Sequence, residues 1–319
     1  MSRRDAFNPV LVTGAGGFVG CCAARRLLEE GFDVHVLLRP DSMAWRLRDV
    51  MDRLVIHRVD LADAEAVQAA VRKAAPAAIL HMAAYGTGEW QTEGRRILET
   101  NVLGSLNLLE ASLSTGARVF VNAGSSSEYG YKSEPMRETD RPEPNSVYGV
   151  AKAAQTHLAT LMARRTSMAI VTFRLFSVYG PWEEPGRLLP TVIRRARSGL
   201  PLEMAAPDTA RDFVYVDDVL RALIDFEQLA RIRGEVFNLG SGVQSTLKDV
   251  VDTVLGVVGG RSEVRWGEMP ARRWDTNRWQ ADVSKARGIL GWSPRYSLLD
   301  GITQMAQWIE RAGSPYATA

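Results

Sequence analysis

The chain has almost no cysteine: two in 319 residues, Cys21 and Cys22, side by side. Adjacent cysteines cannot bridge distant segments, so no disulfide framework holds this fold. Packing is the expected role of both thiols, in a reducing, cytoplasmic setting. Histidine is nearly as scarce. His35, His57, His81 and His157 show no metal-ligand spacing with one another or with the cysteines, so no metal site is expected. Charge of one sign is missing too: 39 Lys+Arg against 37 Asp+Glu leave +2. That balance excludes a basic nucleic-acid surface and leaves anionic partners to local arginines. No apolar run approaches the roughly 20 residues of a membrane span. The opening MSRRDAFNPV lacks the apolar stretch of a secretory signal, so no membrane partner is expected. There is no internal repeat and no low-complexity tract.

What the chain does have is the balance of a soluble globular protein, 46% hydrophobic and 24% charged. Short β-branched runs alternate with helical stretches through the first half. Val10–Val12, Val34–Leu38, Leu54–Val59, Ala78–His81, Val119–Asn122 and Ala169–Phe173 read as strands, and Ala64–Arg72 and Asn101–Ser112 as helices between them. Such alternation predicts βαβ units and a doubly wound, parallel α/β sheet covered on both faces. Beyond Gly180 the texture changes, with Pro181, Pro185, Gly186, Pro190, Gly199 and Pro201. Phe213–Leu239 reads as a return to the sheet, and helices at Leu247–Val258 and Leu298–Arg311 complete a second lobe. The expected division is a first domain of 1–176 plus 212–240 and a smaller α/β domain of 177–211 plus 241–319.

The first strand runs into Thr13-Gly14-Ala15-Gly16-Gly17-Phe18-Val19-Gly20, a GxxGxxG turn that opens a helix. The first glycine permits a tight turn, the second close approach to a pyrophosphate, and the third close helix–strand packing. Unpaired N–H groups and the dipole at the helix start favour phosphates. The strand–turn–helix context makes this a Rossmann-type dinucleotide site. Cofactor choice falls to the end of the second strand, where a carboxylate would hold the ribose of NAD and an arginine the 2′-phosphate of NADP. Here Leu38-Arg39 stands without an acid, which favours NADP(H) over NAD(H); the alternative is that Arg39 is a solvated loop charge and Asp41 takes the ribose. Asp60, followed by Leu61, stands where it can touch the adenine or cap a turn.

Tyr148 and Lys152 lie four residues apart on a predicted helix and so share one face. A free tyrosine has a pKa of about 10. A neighbouring ammonium favours the phenolate and fits the pair for proton exchange with a hydroxyl. Upstream, Gly124-Ser125-Ser126-Ser127-Glu128-Tyr129-Gly130 ends a strand where Rossmann sheets bind ligands. A serine there can polarise a reacting carbonyl or bridge to Tyr148; consecutive serines also cap turns. The stretch does not match GxSxG, so a hydrolase elbow is excluded.

With these residues in place the sequence resembles the extended short-chain dehydrogenase/reductase family, in its NAD-dependent epimerase/dehydratase branch. The resemblance spans TGAGGFVG (13–20), LHMAA (80–84), TNVLGSLNLLEA (100–111), GSSSEYG (124–130), YGVAK (148–152), RLFSVYGP (174–181), RDFVYVDD (211–218), FNLGSG (237–242) and GWSP (291–294). It implies a nucleotide-diphosphate sugar as substrate and a homodimer formed through a helix bundle. It implies that Gly14, Gly16, Gly17, Phe18, Val19 and Gly20, with Arg39, Asp60, Leu61, Ala83, Ala84, Tyr148 and Lys152, bind the cofactor. Tyr148 would be the acid/base and Lys152 its activator, with Ser125 or, in a shifted register, Ser126 as their partner. Tyr85, Ser126, Ser177, Leu188, Arg211 and Arg272, with Arg273 and Pro190 as weaker candidates, would face the sugar nucleotide; Ser177 replaces a usual asparagine. Asn101 would support the site from its helix, Arg174 would be structural, and His81 would line the cleft or be buried.

The reaction follows from what surrounds the pair. dTDP-glucose dehydratases carry Asp-Glu where this chain has Ser126-Ser127, although the shifted register makes Ser126-Ser127-Glu128 resemble the Thr-Ser-Glu of GDP-mannose dehydratases. Arg39 and the missing acid pair lead to the expectation of an NADPH-dependent 4-ketoreductase of a nucleotide-linked 4-keto-6-deoxyhexose. A UDP-glucose 4-epimerase-like enzyme and a 4,6-dehydratase are the alternatives, and a non-catalytic NADP(H)-sensing protein a remote one.

Overall fold

The computed structural model describes residues 5–88, 90–270, 276–313 and 316. Its elements run β1 (Val10–Thr13), α1 (Phe18–Glu29), β2 (Val34–Leu38), β3 (Val55–Arg58), α2 (Ala64–Ala74), β4 (Ala78–His81), α3 (Gly94–Leu98), a π-turn (Glu99–Leu103), α4 (Gly104–Leu113), β5 (Val119–Ser125) and a 3-10 turn (Ser126–Glu128). They continue with α5 (Val147–Arg165), β6 (Ala169–Leu175), β7 (Ser177–Tyr179), α6 (Leu188–Arg197), β8 (Leu202–Met204), β9 (Ala210–Tyr215), α7 (Val216–Leu223), α8 (Phe226–Leu229), β10 (Val236–Leu239), β11 (Gln244–Thr246), α9 (Leu247–Val258), β12 (Val264–Trp266), α10 (Ser284–Leu290) and α11 (Leu298–Ala312).

Seven strands form one sheet in the order β10-β6-β5-β4-β1-β2-β3. The neighbours from β6 to β3 pair in parallel. Four-residue β1 and β4 are buried throughout, as expected of strands covered on both faces. The chain winds outward from β1 to β3 and then returns to place β4 on the other side of β1. That reversal opens a crevice beyond the carboxyl ends of β1 and β4, where Rossmann-type sheets take ligands. One covering layer packs Val67, Val71, Leu108, Leu109, Phe120 and Ile170 into a single apolar cluster. The α2 helix starts on Asp63, whose carboxylate accepts the Ala66 N–H at 3.0 Å. α5 starts on Ser146, which accepts the Gly149 N–H at 3.0 Å.

The chain divides into two compact units: 1–130, 138–175 and 220–237, and 131–137, 176–219 and 238–319. The second unit holds a three-stranded sheet, β11-β9-β7, and the β12–β8 pair. β9 is where sequence reading and structure part. Phe213–Tyr215 does not return to the large sheet; β9 pairs with β7 in parallel and with β11 in antiparallel. The buried Asp212 carboxylate anchors it there, accepting N–H groups of Ser241, Gly242 and Ala281. The return to the large sheet comes only with β10, and the boundary expected at 212 falls at 220.

His35 on β2 and His57 on β3 stack with ring centroids 5.3 Å apart and share a 3.1 Å hydrogen bond. Burial holds both imidazoles below their ordinary range; Asp33 opposes the shift at His35, whereas His35 and Lys73 add to it at His57. The unfolded chain therefore takes up these protons first, and stability is lost as pH falls below about 6.5. Thermal denaturation between pH 7.5 and 5.5 should show a steeper loss of Tm for the native protein than for His35→Phe; equal slopes would remove the pair from the acid response.

Candidate active site

The glycine loop is shaped by contacts that only glycine permits. Gly14 has φ +70°, and a Cβ there would lie 2.5 Å from the Ala83 nitrogen. A Cβ on Gly20 would lie 2.2 Å from the Gly14 carbonyl oxygen. The turn closes through Gly17 N–H to Gly14 O at 2.9 Å, and Gly17 then caps α1 in extended backbone. Phe18, Val19 and Gly20 form the first helical turn, whose N–H groups have no carbonyl one turn earlier. Outward from Gly17, a Cβ would meet only the Gly14 oxygen, at 3.3 Å. Backbone donors, a helix dipole and open approach are what a dinucleotide pyrophosphate requires, and the loop fits one.

The ends of β1 and β4 are tied together by a buried relay. His81 meets Thr13 Oγ1 through Nδ1 at 2.7 Å and Ser105 Oγ through Nε2 at 2.8 Å. Ser105 donates to the Asn101 carbonyl at 2.6 Å. Burial, with the Lys152 charge second, drives His81 down to about 3, so it is neutral and a connector rather than a base. Asn101 sits in the π-turn, fully buried, and grips Tyr85 from both sides: Oδ1 accepts its N–H at 2.8 Å and Nδ2 donates to its carbonyl at 2.7 Å. Ala83 and Ala84 are half-buried just past β4, and Tyr85 is buried. The following loop closes on Gln91, whose Oε1 accepts the N–H groups of Gly86, Thr87 and Gly88 at 2.9, 3.0 and 3.2 Å.

At the adenosine side the expected residues divide. Arg39 is exposed, with Nε 3.4 Å from the exposed Asp41 carboxylate. Asp60 accepts the Ala62 N–H at 3.0 Å, a turn contact. Leu61 is buried, and its carbonyl accepts from Asn107 at 2.9 Å. Arg46, inward of Arg39, donates to the Gly16 carbonyl at 3.2 Å and braces the glycine loop.

Ser125 ends β5, and Tyr148 and Lys152 stand one turn apart near the start of α5, which packs on β5 and on the Ser126–Glu128 turn. Tyr148 is half-buried against Tyr85, Ile97 and Ala151. One turn on, Lys152 is buried; its Nζ donates to the Ala123 carbonyl and to Gln155 Oε1, the latter at 2.5 Å. Burial pushes its ammonium down to about 8, with Glu128 opposing. Ser125 Oγ accepts the Ser127 N–H at 3.1 Å and caps the 3-10 turn. Ser126, the first residue of that turn, is buried.

Glu128 is enclosed. Its Oε1 accepts from the Ser125 N–H at 2.8 Å and from Thr156 Oγ1 at 3.0 Å, and its Oε2 from Arg174 Nε at 2.8 Å. Arg174 is buried with it and lies over the Tyr129 ring at 4.5 Å. Sequence reading found Arg174 as a structural residue but missed its partner; a charged residue at the end of an otherwise uncharged serine turn was the available signal. It also missed Gln155 and Gln91, which no motif marks.

In the second unit Ser177 opens β7 and pairs in register with Phe213 of β9. Arg211, on β9, donates to the Ala210 carbonyl at 2.7 Å and lies 5.6 Å from the Trp279 ring. Leu188 is half-buried at the start of α6, and Pro190 is buried within it. Arg272 and Arg273 lie outside the described residues.

A doubly wound parallel sheet with a glycine cradle and a helix-borne Tyr/Lys pair defines a Rossmann-type oxidoreductase class of the extended short-chain dehydrogenase kind. The sequence profile of the NAD dependent epimerase/dehydratase family matches residues 10–240, and the chain belongs to that family and is an enzyme of it. It is 26% identical to a probable UDP-glucuronate 4-epimerase of Rhizobium meliloti, across 94% of this chain and 96% of that one. It is 26% identical to the dTDP-glucose 4,6-dehydratase of Neisseria gonorrhoeae, across 96% of each chain. The crystal structure of the Thermus thermophilus UDP-glucose 4-epimerase in complex with NAD superposes with a TM-score of 0.82 at 31% identity, across 96% of this chain and 99% of that one.

Proposed function

We propose that the protein is an NAD-dependent epimerase acting at C4 of a UDP-linked hexose or hexuronate. One observation carries the reaction type: Glu128, the one carboxylate of the serine turn, is spent on Arg174, Thr156 and the Ser125 N–H. Eliminating water needs a free acid and base beside the tyrosine. With Ser126 and Ser127 in the acid positions and Glu128 locked, that chemistry lacks its groups. Epimerisation needs only Ser125, Tyr148 and Lys152.

Reduction, the expectation from Arg39, loses its support. The Arg39 guanidinium is turned to Asp41, and the Thermus epimerase carries NAD. Gly14, Gly16, Gly17, Phe18, Val19 and Gly20 would hold the pyrophosphate, Asp60 and Leu61 the adenine side, Ala83 and Ala84 the cleft wall, and Lys152 the nicotinamide ribose. When bound there, the nicotinamide supplies a hydride acceptor that returns what it takes. Tyr148 Oη accepts the C4 hydroxyl proton and later gives it back. Ser125 Oγ hydrogen-bonds the same oxygen. The Lys152 ammonium favours the Tyr148 phenolate through its charge. Tyr85, Ser126, Ser177, Leu188 and Arg211 are assigned to the sugar nucleotide, Arg211 to its diphosphate.

Purified protein incubated separately with UDP-glucose and UDP-glucuronate should form C4 epimers with NAD retained and no net reduction. A 4-keto-6-deoxy product, or stoichiometric consumption of NADPH, would overturn the epimerase reading.

The same reading includes a homodimer. α3 with the π-turn and α4, and α5 beside them, expose Leu98, Leu103, Leu113, Val147, Val150 and Leu161. Those exposed apolar side chains are the surface assigned to the pairing. Light scattering should give a dimer for the native chain and a monomer for Leu103→Glu/Val150→Glu. A native monomer at 50 μM would refute the pairing.

A further inference from the structure

The buried network behind Lys152 runs in one sense. An ammonium can only donate, so the Gln155 amide must turn its oxygen toward Nζ. That leaves Gln155 Nε2 to donate to Asn122 Oδ1, at 2.7 Å. Asn122 Nδ2 donates in turn to Thr172 Oγ1 at 3.1 Å. Gln155, Asn122 and Thr172 are all buried, on α5, β5 and β6, so three elements fix the orientation of one amide. Hydrogen bonds aligned in one direction polarise one another, which strengthens the hold on the ammonium. The Ala123 carbonyl takes a second of the three Nζ donors.

Every member of this chain beyond the lysine is uncharged. The other ionisable groups that act on Lys152 are neutral His81 at the end of β4 and Glu128, whose charge is shared with Arg174 of β6; Tyr148 stands one turn earlier on the same helix. The immediate acceptors of the ammonium are thus a carbonyl and an amide, dipoles that orient a cation without cancelling it.

We propose that Gln155 positions Lys152: its amide oxygen fixes the ammonium one turn from Tyr148 and, being uncharged, leaves the full lysine charge to act on the tyrosine. A carboxylate at this place would hold the ammonium equally well but neutralise it, and an apolar side chain would leave it unoriented. Gln155 touches neither substrate nor cofactor; it acts through the lysine.

The inference rests on the Tyr148–Lys152 chemistry proposed above, and its test begins with a readout that needs no substrate. In protein labelled with 13C-lysine, the Lys152 Cε resonance is followed against pH by NMR. Gln155→Glu should raise the Lys152 midpoint by about 1–3 units, as an adjacent opposite charge does. Gln155→Met, nearly isosteric, should lower it below the native value, because the charged form loses an acceptor. With UDP-glucose as probe, Gln155→Glu should move the kcat–pH profile to higher pH, since the phenolate loses support. Gln155→Met should lower kcat by up to about 100-fold, as misplacement of a catalytic group does, with KM within about twofold; Tm should fall because Asn122 Oδ1 and the ammonium each lose a buried partner. If either folded variant titrates Lys152 at the native midpoint, the inference is wrong. If UDP-sugars are not turned over while the midpoints move as stated, the epimerase reading fails and the role of Gln155 stands.

Discussion

Tyr148→Phe should reduce UDP-hexose epimerisation by about 10² to 10⁴-fold in kcat, the range contributed by a positioned acid or base. The substitution removes one oxygen and leaves the ring against Tyr85, Ile97 and Ala151 in place. Thermal stability should therefore change by less than about 1 kcal/mol, the scale of one hydrogen bond. Retention of NAD should be unchanged, because the glycine loop, the Ala83–Ala84 wall and Lys152 are untouched. The diagnostic is the split: kcat collapses while KM and cofactor content stay. A Tyr148→Phe protein that turns over at more than a tenth of the native rate would remove the phenol from the chemistry and point to a solvent proton route.

Arg174→Met should carry the largest cost in stability. It leaves the Glu128 carboxylate buried without its cation, and breaking one side of a buried ion pair costs about 3–5 kcal/mol. For a protein of this size that is a fall in Tm of roughly 4–8 °C. The loss should reach the active site as well, because Glu128 also holds the Ser125 N–H and so sets the cap from which the Ser125 hydroxyl projects. Adding Glu128→Gln, which keeps the acceptor for Ser125 while removing the charge, should recover more than half of the lost Tm. A single Arg174→Met variant within about 2 °C of native, measured by calorimetry, would mean that the carboxylate finds other compensation.

Much of the large sheet was legible in the sequence because its signals are local. Val34–Leu38 and Ala78–His81 stand where short β-branched runs predicted them, since strands covered on both faces show continuous apolarity. The glycine loop was legible because its GxxGxxG spacing is local, although Gly14 answers to Ala83 and Gly16 to Ser42. β9 was misassigned for the opposite reason. Phe213-Val214-Tyr215 has the composition of any buried strand, and nothing in that run says which sheet receives it. The decision lies in Asp212, whose carboxylate finds its donors about 30 and 70 residues further on, at Ser241 and Ala281. Glu128 and Gln155 belong to the same class: each is an ordinary polar residue until Arg174, Asn122 and Lys152 are brought around it. Arg39 is the converse, a charge in a suggestive place whose exposed neighbour, Asp41, lies within ion-pair distance.

The wide turn at Glu99–Leu103 has an evolutionary corollary. A π-turn is one surplus residue stored in a helix, and a chain can lose it without breaking the hydrogen-bonded rod. Deletion of Val102 would let the segment close into a regular α-helix with both flanks kept in phase, whereas a deletion in a regular stretch turns one flank by about 100° against the other. What would change is the turn itself: the Asn101 amide would no longer straddle the Tyr85 peptide. Single-residue deletions should therefore be accepted readily in the exposed stretch around Gly116 and Arg164–Ser167, yet be purged between 99 and 103 despite the local slack. In a deletion library selected for turnover, this short interval should stand out as a gap against those tolerant segments, visible without any assay of binding.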